Sequence, residues 1–240
     1  MGIITIAFDD GYKETCENTA RFLADKGIHA TYAIPSGFIG DKLEGREVMD
    51  NDHLFAVKMM GHEIASHTVR HKNLLDLSLK EGPETVDREM VAAKKQLEAL
   101  TGLDIRSFVF PFIEANNTPY LRQLASDHYA SSRITTEKFS YNLLPVKDPF
   151  SVLGVAITAD LSEKDCAKLA EIAIANDLWL IEVFHLVSKT NTKSFNRDAP
   201  YRFYMHPDSF KKHVESLISK GTVFMSQGMV IEKLSVQRIS

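Results

Sequence analysis

Asp9 and Asp10 stand side by side at the end of an apolar run, and His67 and His71 stand four residues apart. One carboxylate and two neutral imidazoles supply three ligands for a divalent cation and leave a coordination position open; the second carboxylate can then serve as a base. The chemistry open to such a set is metal-assisted hydrolysis. Two further stretches, Phe110-Pro111-Phe112 and Phe184-His185, also follow apolar runs and extend the set. Taken singly, each has a plain structural explanation: Asp-Gly punctuates turns, a lone histidine in an apolar run is often a satisfied core residue, and this chain has nine histidines. Their joint placement carries the argument.

The elements that must position these residues are legible as short β-rich runs alternating with helical patterns, the layout of a parallel sheet covered by helices. Strands are expected over residues 3–8, 29–34, 63–66, 107–110, 151–157, 179–184 and 222–225, about seven in all. The clearest helix is expected over 84–100, where Val86, Met90, Ala93, Leu97 and Leu100 recur at three- and four-residue spacing. Others are expected over 12–26, 118–126, 162–176 and 207–220, while 37–52, 133–149 and 188–205 read as long loops. In parallel α/β folds the site lies at the carboxyl ends of the strands, and the Asp pair, His67, Pro111 and His185 each follow a predicted strand. The fold expected is α/β, a distorted (β/α) barrel, with residues 1–240 as one domain.

These motifs are similar to those of the NodB-homology polysaccharide deacetylases, carbohydrate esterase family 4. Phe8-Asp9-Asp10-Gly11 resembles the family's first motif, and the segment from Gly61 to His71 resembles its second, including both histidines. The resemblance implies that Asp9 is the catalytic base and that Asp10, His67 and His71 hold one divalent metal ion, commonly zinc, with cobalt or nickel as alternatives. Val183-Phe184-His185 resembles the fifth motif, which implies that Val183 lines the pocket for an acetyl methyl and that His185 protonates the leaving amine. Around Pro111 the likeness to the third motif is incomplete. The common Arg-x-Pro-x-Gly reads Val109-Phe110-Pro111-Phe112-Ile113 here, so the backbone N–H of Phe112 keeps the oxyanion role while the Arg that orients the base is missing.

Arg133 and Arg106, charged residues near predicted strand ends, are the candidates to replace it. The Asp- and Trp-rich fourth motif has no clear counterpart; Asp160 is the candidate to orient His185, with helix capping as its plainer role. Glu114, Asn116, Tyr141, Asn142 and Tyr204 lie in loops near the expected mouth and are candidate substrate contacts, whereas His62, His206 and His213 read as structural.

Composition narrows the function class. Lys+Arg 28 against Asp+Glu 32 gives a net charge of -4 without basic blocks, which argues against a nucleic-acid partner. Only Cys16 and Cys166 are present, too few for a disulfide framework. Residues 1–8 run straight into the Asp pair without an apparent leader, and no apolar stretch is long enough to span a bilayer, so the expected setting is cytoplasmic, or extracellular if a leader was trimmed. The expected activity is metal-dependent removal of an N-acetyl or similar acyl group from an amino sugar. Two rivals stand beside it: an amidohydrolase of cyclic imides or ureides on the same scaffold, and a catalytically idle carbohydrate-binding homologue.

Overall fold

Successive side chains of a strand point to opposite faces, so in a closed barrel every second residue faces inward. The computed structural model describes residues 2–113, 118–191 and 201–235. Seven parallel strands close the barrel: β1 (Ile3–Phe8), β2 (Thr31–Ile34), β3 (Glu63–Ser66), β4 (Ser107–Ile113), β5 (Ser131–Thr136), β6 (Val152–Ala156) and β7 (Trp179–Phe184). Each pairs with the next in order, and β1 completes the ring by pairing with β7 from Ile3↔Trp179 to Phe8↔Phe184. An eighth strand, β8 (Val223–Phe224), adds to β1 at Ile3 and Ile4, below the point where β2 meets β1 at Ala7 and Phe8. The expected strand at 222–225 is thus an addition to the barrel rather than one of its staves.

The helices are α1 (Lys13–Asp25), α2 (Asn51–Met59), α3 (Leu74–Glu81), α4 (Pro83–Thr101), α5 (Pro119–His128), α6 (Glu163–Ala175), α7 (Pro207–Ser219) and α8 (Gln227–Leu234). In α4 the apolar stripe holds at Val86, Met90, Ala93 and Leu97, all fully buried, but Leu100 is 49% exposed. The stripe turns instead to Thr101, four residues after Leu97, and Gly102 at φ 66° ends the helix in the left-handed conformation. None of the helices among the described residues is long and apolar enough to cross a membrane.

One strand escapes the sequence reading. β5, Ser-Ser-Arg-Ile-Thr-Thr, has the composition of a loop, yet all six residues are buried. Its polarity is accounted for residue by residue. Ser131 receives a hydrogen bond from Gln227 of α8 at 3.1 Å, and Arg133 and Thr135 bond to Asp9 inside the barrel. Ile134, on the opposite face, joins the apolar layer beneath the helices. A strand whose inward residues bond one another has no need of an apolar run.

Two apolar layers result. Ile4, Ile6, Phe8, Leu180 and Phe184 pack outward against the helices, while Ile3, Ala7, Val152, Trp179, Ile181 and Val183 pack inward with Val230 of α8. Higher in the barrel the inward residues Ala33, Ala65 and Val109 form a small cluster of their own. Small side chains there leave room for larger polar ones at the strand ends.

Candidate active site

Continuing the inward rows past the strand ends generates most of the site. Ile3, Thr5 and Ala7 lead to Asp9; Glu63 and Ala65 lead to His67; Ile181 and Val183 lead to His185. Asp10 and His71 join from turns, with φ of 70° and 49°. Thr68 and Phe112, at φ 68° and 63°, are likewise non-glycine residues held in the left-handed region, each at a cost of about 1–2 kcal/mol. The surroundings enforce it. Glu89 of α4 accepts backbone N–H bonds from Val69 at 3.1 Å and Arg70 at 2.9 Å, and Thr68 Oγ1 accepts from the His71 N–H at 3.0 Å. The loop between the two histidines is therefore moulded by a buried carboxylate that no sequence motif marks.

The three candidate ligands converge. His71 Nε2 lies 3.1 Å and His67 Nε2 3.5 Å from Asp10 Oδ1. A tetrahedral ion with bonds of about 2.0–2.1 Å separates its ligand atoms by roughly 3.3–3.4 Å, so this spacing fits one ion. All three residues are buried, and their ligand atoms lie within 4.8 Å of one another. His67 Nδ1 is 2.8 Å from the Val109 carbonyl, which can only accept, so Nδ1 donates there and Nε2 is the nitrogen turned to Asp10. Burial pushes the Asp10 carboxyl up, but His71 and His67 outweigh it and hold the group well below the usual carboxylate range.

Asp9, the neighbouring carboxylate, is bound differently. Arg133 Nη2 donates to Asp9 Oδ1 at 2.5 Å, and Thr135 Oγ1 donates to Oδ2 at 3.2 Å. Arg133 is fully buried and is itself positioned by Thr135, 2.7 Å from Nη1, and by Gln227 Oε1, 3.3 Å from Nε. Burial raises the Asp9 carboxyl, while Arg133 first and then His67 and His185 lower it further, so the group is a carboxylate at neutral pH. Of the two candidate arginines, Arg133 is the one that reaches Asp9, from the neighbouring strand β5. Arg106 does not; it lies at the other end of β4, 4.0 Å from Asp104.

Space for the guanidinium depends on Gly154 of β6. A Cβ there would lie 2.6 Å from Val183 Cγ2 and 3.1 Å from Arg133 Cδ and Nη1. Gly154→Ala is therefore expected to displace Arg133 or Val183, costing about 1–3 kcal/mol and depressing turnover; unchanged melting and kinetics would show that the barrel relaxes around the methyl.

The register of β4 against β5 jumps from Val109↔Arg133 to Ile113↔Thr135, so residues 110–112 bulge and Phe112 turns to the cleft mouth, 48% exposed, its ring centroid 5.2 Å from that of His71. His185 is half-buried with its ring centroid 4.9 Å from that of Phe203, and its buried Nδ1 has no hydrogen-bond partner among the described residues. Burial lowers its pKa below the ordinary histidine value.

Asp160 does not supply that partner. It is an exposed residue paired with Arg202 at 3.1 Å, and the cap of α6 is Ser162. The cleft, about 290 Å³, is lined by the Asp and His residues with Phe110 and Phe112, and by four residues no motif identifies: Glu44, Thr135, Tyr201 and Phe203. Pro111 and Val183 do not line it, although both are buried close behind. Asn142 pairs with Trp179 at the opposite end of β7, and Tyr141 bonds the Leu169 carbonyl at 3.3 Å. Tyr204 faces a separate cleft beside α6 and α7, and Glu114 and Asn116 lie outside the described residues. His62, with both ring nitrogens bonded to backbone, and His213, paired with Glu182 at 2.8 Å, are structural as expected.

Residues 2–129, with both aspartates, both histidines and Phe112, match the model of the polysaccharide deacetylase family, and the chain belongs to that family. Among solved structures it is similar to the Xyl-CE4 domain of a multidomain xylanase from the hindgut metagenome of Trinervitermes trinervoides, with a TM-score of 0.60 and 17% identity over 97% of this chain and 90% of that one. It is also similar to a peptidoglycan N-acetylglucosamine deacetylase, with a TM-score of 0.58 and 16% identity over 95% and 87% of the two chains. A third similar structure is a CE4 family pseudoenzyme from Bacillus anthracis, with a TM-score of 0.60 and 12% identity over 98% and 67%. At these identities the likeness is one of fold. No curated protein matches the chain in sequence.

Proposed function

We propose that this protein is a metal-dependent hydrolase that removes an acetyl or similar acyl group from the nitrogen of an amino sugar. The observation that carries the reading is the convergence of His67 and His71 Nε2 on Asp10 Oδ1, at 3.5 and 3.1 Å, beside a second carboxylate held by Arg133. Asp10, His67 and His71 would hold the ion, which supplies Lewis acidity that polarises a carbonyl and makes water easier to deprotonate. Zinc suits one carboxylate and two imidazoles; cobalt and nickel are the alternatives.

The chain's own residues divide the remaining work. Asp9, fixed by Arg133 and Thr135, takes the proton of the attacking water. The backbone N–H of Phe112, a residue that lines the cleft, donates to the oxyanion that forms on the carbonyl oxygen. His185 delivers a proton to the departing nitrogen, which would otherwise leave as a strongly basic amide anion. Val183, fully buried in the same inward row, backs the cleft wall and does not itself reach an acyl methyl.

The unpartnered Nδ1 of His185 is the observation that favours the rival reading of an idle carbohydrate-binding homologue. Both are tested by an acetate-release screen over acetylated amino-sugar oligomers and precursors, run on chelated protein and after adding back zinc, cobalt or nickel. Release that returns with metal supports the hydrolase. Saccharide binding without release at any metal loading supports the idle homologue, and metal-free turnover of a cyclic ureide supports the amidohydrolase.

A further inference from the structure

Among the described residues, Glu44 is the one carboxylate lining the cleft that belongs neither to the ligand triad nor to the Arg133 pair. It sits at the tip of a two-stranded hairpin in which Lys42 pairs with Glu47 and Leu43 with Arg46, leaving Glu44 and Gly45 as the two turn residues. Both have positive φ, 55° and 79°, the geometry that two-residue hairpins favour and that Gly, Asn and Asp adopt most readily. A glutamate in the first of these positions is strained, yet it is the residue that reaches the cleft. Strain at a residue facing a cleft is a pointer to use there.

The hairpin is fastened to the segment that carries the aspartates. Tyr12 bridges Val48, the Met49 N–H donates to the Gly11 carbonyl at 2.9 Å, and Tyr12, Leu43, Val48 and Leu186 form a buried cluster against which Tyr201 packs. Glu44 therefore keeps a fixed position relative to Asp10. Its carboxylate accepts from the Tyr12 hydroxyl at 3.4 Å, longer than an ordinary O–H···O bond, and a carboxylate has about four lone-pair sites to fill.

We propose that Glu44 is a substrate-binding residue whose carboxylate accepts hydrogen bonds from hydroxyl groups of the sugar ring that bears the acylated nitrogen. The proposal rests on the amino-sugar reading above and adds a specificity residue outside the family's motifs. Charge favours a neutral, hydroxyl-rich ligand over a cationic one. Asp9 is balanced by Arg133, and a divalent ion would balance Asp10 and Glu44, so the loaded cleft has no net charge for an ammonium to satisfy. Burial and the nearby Asp10 both raise the Glu44 carboxyl, so hydrogen-bond donors from a ligand are what would stabilise its ionised form. Phe110, Phe112, Tyr201 and Phe203 supply apolar faces for the C–H side of a sugar ring.

The test compares Glu44→Gln and Glu44→Asn with wild type. Asn tolerates the left-handed turn and is too short to reach, so folding is preserved while the contact is removed. Zinc affinity is measured first, by calorimetry on chelated protein, then kcat and KM on whichever acetylated amino-sugar oligomer the wild type hydrolyses. The expected result is unchanged zinc binding, a KM raised about tenfold or more in Glu44→Asn with kcat within about threefold, and a smaller rise in Glu44→Gln, which keeps one acceptor oxygen. An unchanged KM in Glu44→Asn beside an active wild type overturns the proposal alone, as does loss of zinc, which would make Glu44 a ligand. A wild type that neither binds nor deacetylates amino sugars at any zinc loading overturns the functional reading and this proposal with it.

Discussion

Asp9→Asn is expected to keep the metal ion and to lose turnover by at least about 10²–10⁴-fold, the span a positioned general base contributes. The substitution preserves shape and removes the carboxylate proposed to accept a proton from the attacking water. Asp10, His67 and His71 are untouched, so ion affinity should stay within a few-fold of wild type. Arg133 is left fully buried opposite a neutral amide, so some loss of thermal stability accompanies the change. Steady-state kinetics together with calorimetric zinc titration separates the two effects. Near-normal turnover in Asp9→Asn would remove Asp9 from the mechanism.

Arg133→Met should have the second largest effect, because it strands Asp9. The carboxylate is 2% exposed and Arg133 is the strongest influence lowering its pKa; without it, burial prevails and the carboxyl rises. Removing one partner of a buried pair costs about 3–5 kcal/mol. The sign with pH follows from the depressed folded-state value. In wild type the pair's stabilisation is present above the unfolded carboxyl's pKa and is lost as pH falls through the folded one, so the stability gap between wild type and Arg133→Met is widest at neutral pH and narrows in acid. The acid limb of the activity profile should move upward in the variant, whatever ion is bound, since losing the guanidinium can only raise Asp9. In an Asp9→Asn background Arg133→Met should cost much less. Equal cost in both backgrounds, measured by denaturant unfolding, would show that the two residues are not coupled.

The sequence carries the barrel where strands are apolar and the site where residues continue a strand's inward row. Asp9, His67 and His185 are readable because each extends an alternating pattern with a residue of distinctive chemistry. What alternation cannot show is a strand whose inward face is polar. β5 is hidden for that reason, and with it the placement of Arg133, although the Arg133-Ile134-Thr135 triplet contains the alternation once Asp9 is known to need a cation. Short helices fare similarly: α3 and α8 are each eight residues long, too short for a periodic stripe to stand out. Glu44, Tyr201, Phe203, Glu89 and Gly154 reach the site by tertiary packing from loops, a helix and a distant strand, and no local spacing announces them. Asp160 shows the converse, a suitable residue at a suitable strand end that the chain spends on Arg202 at the surface.

Everything proposed here turns on one ion held by Asp10, His67 and His71, and its most direct measurement is anomalous diffraction from crystals of the chelated protein soaked in zinc. A single strong peak is expected within about 2.0–2.2 Å of Asp10 Oδ1 and both Nε2 atoms, absent in His71→Ala and retained in Asp9→Asn. Zinc scattered over surface carboxylates with none between these three residues would contradict it.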